Sequence, residues 1–252
     1  MKVYFVGAGP GDIELLTVKA TRLLREAAYC IYAGSLVNPN LLSLLPADAK
    51  RYDSAAMDLG QILEVIGQAR GENRDVIRLH TGEPSIYGAI GEQMDELDKL
   101  GIDYEVVPGI SSFQAAAAAL RVELTAPEVS QTVILTRTAG RTPMPAGEEL
   151  ARLAAIGATM CIFLSSDKLD AIAAELAERY GSDCPAAVVY HASWADQRVL
   201  RGHLSDIAEK TRAAGITRTA IVIVGRAIGR PLVHASKLYD RTFGHGYREA
   251  KP

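Results

Sequence analysis

Three short runs in this chain are apolar at every position: Val3–Val6 (VYFV), Cys161–Leu164 (CIFL) and Ile221–Val224 (IVIV). A strand with one wet face alternates apolar and polar side chains, so unbroken runs of this length call for strands covered on both faces. Helix-period segments lie between these and other short runs rich in β-branched and aromatic residues. Strands are expected at Lys2–Val6, Tyr29–Tyr32, Asp75–His80, Tyr104–Val107, Thr132–Thr136, Thr159–Leu164, Ala186–Tyr190 and Ala220–Val224. Amphipathic helices are expected at Leu15–Glu26, Leu59–Ala69, Ala89–Leu100, Glu148–Ala155, Leu169–Tyr180 and Leu204–Ala214. This alternation predicts an α/β fold with mostly parallel sheets and flanking helices.

The segment Arg121–Gln131 loses both periodicities and carries a proline, which places a domain boundary there. The expected organisation is an N-terminal α/β lobe over 1–121, a second α/β lobe over 122–229 and a polar, aperiodic tail over 230–252. The loop Thr138–Gly147, with two prolines and two glycines, is expected to be irregular. Over 252 residues, 27 Lys and Arg face 30 Asp and Glu, a net charge of −3. That balance argues against a nucleic-acid partner, which a basic face would advertise. The three cysteines show no pairing pattern, and Cys30 and Cys161 sit in apolar runs as reduced thiols do. No apolar stretch is long enough to cross a bilayer. A soluble, cytoplasmic, enzyme-sized protein without a membrane partner is the expectation.

Val6-Gly7-Ala8-Gly9-Pro10-Gly11-Asp12 follows a strand and precedes a helix. It is not a dinucleotide fingerprint: the third glycine position of G-x-G-x-x-G is Asp12. The second strand, moreover, ends in Ala33 and Gly34, where a ribose-binding acid belongs. No Gly-Lys-Ser/Thr follows, so it is not a P-loop either. What remains is a rigid turn in which Pro10 fixes φ and the glycines let a ligand reach main chain. His80-Thr81-Gly82-Glu83-Pro84-Ser85-Ile86-Tyr87-Gly88 and Val107-Pro108-Gly109-Ile110-Ser111-Ser112 follow two further strands. In an open α/β sheet these are carboxyl ends, where ligands bind. Ser111 and Ser112 equally suit capping of the next helix. Together the three turns predict one concave site lined by main-chain donors.

In this order and spacing, Gly7–Asp12, Gly82-Glu83-Pro84 and Val107–Ser112 resemble the tetrapyrrole methylase family from Met1 to about Gly229. The resemblance implies a two-lobed fold with a ligand cleft between the lobes, use of S-adenosyl-L-methionine with S-adenosyl-L-homocysteine as product, and homodimers. Tyr32–Val37 and Leu135–Pro143 are similar to the branch that methylates C11 of precorrin-4 or its cobalt form in cobalamin biosynthesis. It implies cofactor contacts from Pro10, Gly82, Glu83, Pro84, Tyr87, Ser111 and Ser112, with Leu164 and Ala220 from the second lobe. The last two equally suit plain core positions. Glu83 stands where the family usually has Asp. Some relatives place an Asp after the second-strand tyrosine, but here Tyr32 is followed by Ala33, so no catalytic acid transfers there.

For a tetrapyrrole substrate bearing carboxylates, Arg137 and Arg141 are candidate guanidinium forks, with the solvated loop arginine as the alternative. Ser35 and Asn38 are candidates for the macrocycle rim. No G-x-S-x-G, H-E-x-x-H or C-x-x-C occurs, so neither a hydrolase constellation nor a metal site is expected. No catalytic residue is identified. His80 and Tyr87 are the candidate general bases, and a strand-end histidine equally suits a structural role. The nearest rival is a member of the same family acting at another tetrapyrrole carbon, or on diphthamide or ribosomal RNA; the rival classes are a non-catalytic nucleotide-binding module and a nicotinamide-dependent oxidoreductase. The second is opposed by the missing glycine and ribose acid.

Overall fold

The structure is a computed structural model that describes residues 1–140, 142–229, 237 and 240–251, with position 35 described by its backbone alone. The chain divides into two compact units. The first comprises Met1–Ala116 together with His191–Arg198, and the second Ala117–Tyr190 with Val199–Pro252. The linear ranges expected from sequence do not contain this return of residues 191–198 to the first unit.

The first unit holds strands β1 (Lys2–Gly7), β2 (Tyr29–Tyr32), β3 (Lys50–Asp53), β4 (Val76–His80) and β5 (Asp103–Val107), in the order β3-β2-β4-β1-β5. Every pair is parallel, with Phe5 opposite Arg78 and Val106, and Gly7 opposite His80. Helices α1 (Val18–Arg25), α2 (Leu59–Gly71), α3 (Gly91–Leu100) and the start of α4 (Ser112–Leu120) complete it. Alternate residues of one strand feed two separate cores. Val3, Phe5, Tyr29, Ile31 and Val76 pack with Ile62, Val65, Ile66 and Leu97, whereas Val6, Cys30, Ile77 and Leu79 pack with Ala20, Leu23 and Leu24. Both faces are therefore dry, which is why VYFV has no polar member. Helix α1 begins at Val18 rather than Leu15 because the Thr17 side chain accepts the Ala20 N–H, leaving Ile13–Leu15 as a separate 3-10 turn. Asp58 and Gln61 form a reciprocal capping box on α2.

The second unit holds β6 (Val133–Arg137), β7 (Thr159–Phe163), β8 (Pro185–Tyr190), β9 (Arg198–His203) and β10 (Ala220–Val224), in the order β6-β7-β10-β8-β9. Here the expectation of parallel pairing holds only in part. β6 and β7 are parallel, but β10 runs antiparallel to both β7 and β8. Helices α5 (Leu150–Ala154), α6 (Leu169–Tyr180) and α7 (Ile207–Ala213) accompany it, and Met160, Ile162, Val188, Val222 and Val224 pack with Ile172, Leu176 and Ile207. The three cysteines are free and buried. No described helix is long and apolar enough to cross a membrane.

Candidate functional site

In the first unit the three glycine turns meet at the carboxyl ends of β1, β4 and β5. The contact is main chain against main chain. A Cβ on Gly7 would lie 2.6 Å from Gly109 Cα and 2.6 Å from Gly82 O, and one on Gly109 would lie 2.8 Å from Gly7 Cα. No side chain larger than hydrogen fits at either place, so the sequence needs glycine in both turns for the strand ends to converge. The first two turns are also hydrogen-bonded. Ala8 N–H donates to His80 O at 2.7 Å, and Gly82 N–H donates to Gly9 O at 2.9 Å. Gly82 itself has φ +63°, the left-handed region where glycine carries no Cβ penalty.

Glu83 ties the second turn to the third. Its Oε2 accepts the Gly109 N–H at 2.7 Å, and its Oε1 accepts the Ser85 N–H at 2.9 Å and hydroxyl at 2.6 Å. Burial alone would raise this carboxyl's pKa, but the bonds from the Ser85 hydroxyl, the Gly109 N–H and the Ser85 N–H outweigh it, and the net shift is downward. Glu83 is thus an ionised brace. Beyond it the chain folds back over Pro84, and Gly88 is required because a Cβ there would collide with the Pro84 carbonyl. Tyr87 (φ +56°) and Ala89 (φ +50°) take left-handed conformations on either side, and Tyr87 is 45% exposed. Backbone strain of this kind persists only where surroundings impose it, and it gathers at ligand sites.

His80 sits in a different environment from that expected of a surface base. It is buried beside the Phe5 ring, and burial first, then the neighbouring Arg78 charge, push its pKa down to about 3. Arg78 is itself buried, with Nε donating to Gln93 Oε1 at 3.1 Å. Among the described residues, His80 Nε2 and Thr81 Oγ1 are buried without a hydrogen-bond partner. Orphaned polar atoms at a strand end are costly unless something else satisfies them. Ser111 is buried, and its N–H donates to Gln114 Oε1 at 2.9 Å at the entry to α4, where Ser112 is the first residue.

The first turn is braced from two more directions. Asn38 Nδ2 donates to Gly11 O at 2.8 Å, so this rim candidate also organises the turn. Residues 191–197, which carry no motif that sequence reading picks out, supply the rest. The Trp194 indole N–H donates to Pro10 O at 2.8 Å, and Ser193 Oγ accepts the Asp12 N–H at 3.0 Å. A Cβ on Gly11 would collide with the Trp194 ring. The signal available in the sequence was that Trp194 is the single tryptophan of the chain.

The remaining candidates lie in the second unit. Leu164, directly after β7, is 70% exposed with φ +53°, which excludes the plain core role. Ala220 opens β10 and follows Thr219 (φ +56°); the register Val222 opposite Ile162 puts Ala220 and Leu164 at the same end of that strand pair. Arg137 spends its guanidinium on its own loop, with Nη1 donating to the Thr138 and Thr142 carbonyls and Nη2 to Pro143 O at 2.8 Å. Its fork is therefore a loop organiser. Arg141 lies outside the described residues, as does the Ser35 side chain. Among the described residues, no group of histidine, cysteine and acidic side chains could hold a metal ion.

The family model described as Tetrapyrrole (Corrin/Porphyrin) Methylases matches residues 2–208. The chain is 53% identical over 250 residues to a cobalt-precorrin-4 C(11)-methyltransferase of Methanocaldococcus jannaschii, covering 99% of this chain and 96% of the relative. It is 49% identical over 248 residues to a precorrin-4 C(11)-methyltransferase of Pseudomonas aeruginosa, covering 98% and 99%. The X-ray structure of a cobalamin biosynthetic enzyme, cobalt precorrin-4 methyltransferase, superposes with a TM-score of 0.88 at 41% identity, over 90% of this chain and 96% of that one. A uroporphyrin-III C-methyltransferase from Thermus thermophilus, complexed with S-adenosylhomocysteine, superposes at 0.75 with 29% identity, over 90% and 93%.

Proposed function

The chain belongs to the tetrapyrrole methylase family, and from that premise we propose that it transfers the methyl group of S-adenosyl-L-methionine to C11 of precorrin-4, giving precorrin-5 in cobalamin biosynthesis. The observation that carries the reading is the convergence of the Gly7, Gly82 and Gly109 turns, whose main chains touch with no room for a Cβ at Gly7 or Gly109. When bound, the cofactor supplies a methyl group already activated by its positive sulfur. The residues fit such a ligand. The rim offers main-chain groups and hydroxyls, and orphaned Thr81 Oγ1 and His80 Nε2 lie at the same strand end. Glu83 accepts from three protein donors and so sets the shape of that rim.

The protein's contribution is then to bind, orient and exclude water. Holding two reactants in line supplies roughly 7–11 kcal/mol of a displacement barrier, so a rigid braced turn matters more than a strong base. The cofactor residues proposed are Pro10, Gly82, Glu83, Pro84, Tyr87, Ser111 and Ser112, with Leu164 and Ala220, and Glu83 also holds two of the turns together. His80 is enclosed and its pKa is lowered, which disfavours it as the base; the proton lost from the macrocycle is proposed to pass to solvent, with Tyr87 as the other candidate acceptor. Arg141 remains the proposed carboxylate fork of the substrate, because Arg137 is committed to its own loop.

The cobalt form of the substrate is the second reading, favoured by the identity to the Methanocaldococcus relative. Incubation with labelled S-adenosylmethionine and either precorrin-4 or cobalt-precorrin-4 tests both. Label at C11 of one substrate is the expected result, and label at another carbon or on neither overturns the assignment. A cytoplasmic location and a homodimer free of nucleic acid and membrane are also proposed. They rest on family likeness. Sedimentation at micromolar concentration checks the dimer.

A further inference from the structure

Resting on the cofactor reading above, we propose that Trp194 is a positioning residue that holds the Gly9–Asp12 turn in its binding conformation, and that its indole senses occupation of that turn. Pro10 fixes only its own φ, and the glycines beside it need outside restraint to hold one conformation. Gly9 (φ +67°) and Gly11 (φ +151°) flank Pro10, which has no N–H of its own to donate. Two contacts from the 191–197 segment restrain the peptides on either side of Gly11: the indole N–H on Pro10 O at 2.8 Å and Ser193 Oγ on the Asp12 N–H at 3.0 Å. The indole also occupies the space a Gly11 side chain would need.

The segment is itself held in shape. His191 stacks on Trp194 with ring centroids 4.6 Å apart, and His191 Nδ1 lies 2.9 Å from Asp196 Oδ1. The Trp194 main-chain N–H donates to His191 O at 2.9 Å, and the Ser193 N–H donates to Gln197 Oε1 at 2.7 Å. His191 (φ +45°) and Ser193 (φ +70°) both sit in the left-handed region, a cost accepted for one defined presentation of the indole and hydroxyl. A turn that visits its competent conformation only a fraction of the time binds more weakly by the reciprocal of that fraction. Removing one restraining hydrogen bond is therefore expected to weaken binding about fivefold to tenfold.

The test compares wild type with Trp194→Phe, which keeps a ring over Gly11 but loses the N–H, and with Ser193→Ala. S-adenosylhomocysteine is titrated by calorimetry, and steady-state constants are measured for both substrates. The expected result is that each variant raises Kd and the KM for S-adenosylmethionine by about fivefold to tenfold, with the tetrapyrrole KM within about twofold of wild type. Emission of the single tryptophan in wild type is expected to change along the calorimetric isotherm. Folded variants of unchanged affinity, parallel increases in both KM values, or an unresponsive indole while calorimetry registers binding would each overturn the proposal. Should wild type not bind S-adenosylhomocysteine at all, the cofactor reading fails first and this proposal goes with it.

Discussion

Glu83, a candidate ligand contact in the sequence, also serves as scaffolding in the structure. Its two oxygens accept three hydrogen bonds, from Gly109 and twice from Ser85, and so join two turns far apart in sequence. Glu83→Gln keeps the length but turns a donor toward one of those donors, which is expected to cost about 1–3 kcal/mol at neutral pH. Because the folded carboxyl titrates below its ordinary value, its stabilisation is complete above the unfolded value of about 4.3 and is lost as pH falls through the folded one. The gap between wild type and Glu83→Gln in urea unfolding should therefore narrow on acidification. A gap that is constant or widens would show that the charge does not matter. The same limit applied to Arg137 and Asn38: residue type suggested ligand recognition, and only coordinates show their polar atoms bonded to the protein's own carbonyls.

At the scale of elements, the strands buried on both faces were legible, because an unbroken apolar run of strand length leaves no face for water. β3 (KRYD) and β9 (RVLRGH) were not. Both are terminal strands of their sheets, and edge strands carry charge that hides their period. The glycine turns were legible as turns, but their convergence was not, since Gly7 and Gly109 meet across a separation no periodicity records. That convergence predicts a sharp contrast between glycines. Gly109→Ala would drive a Cβ to 2.8 Å from Gly7 Cα and into the Gly82 carbonyl, and should lower S-adenosylhomocysteine affinity more than tenfold, with a stability loss of about 1–3 kcal/mol. Gly67→Ala, on α2 with nothing within 4 Å of the added Cβ, should instead gain about 0.5–1 kcal/mol and leave affinity alone. Calorimetry and thermal melts on the pair decide it. Wild-type affinity in Gly109→Ala would mean the turns can separate without consequence for the ligand.

At the scale of the whole molecule, the chain makes two units with separate cores, and it returns to the first for only eight residues, His191–Arg198. A sequence reading that assigns contiguous ranges cannot find such a return, because Trp194 and Pro10 are joined by a hydrogen bond spanning 184 positions. The return also gives a built-in reporter: the only tryptophan belongs to the first unit, along with the three glycine turns. A ligand that binds only the folded form stabilises by about 2.7 kcal/mol at a hundred times its Kd. For a cooperative transition of this size, that corresponds to a rise of roughly 5–10 °C in Tm. If the ligand grips the glycine turns, the transition seen by tryptophan emission must carry that shift, whether or not the two units melt together. Far-ultraviolet circular dichroism reports both units, so a second, unshifted transition there would mean that the second unit melts independently. A shift detected by dichroism with none in the tryptophan signal would place the ligand away from the turns, and the assignment of the site to Gly7, Gly82 and Gly109 would have to be abandoned.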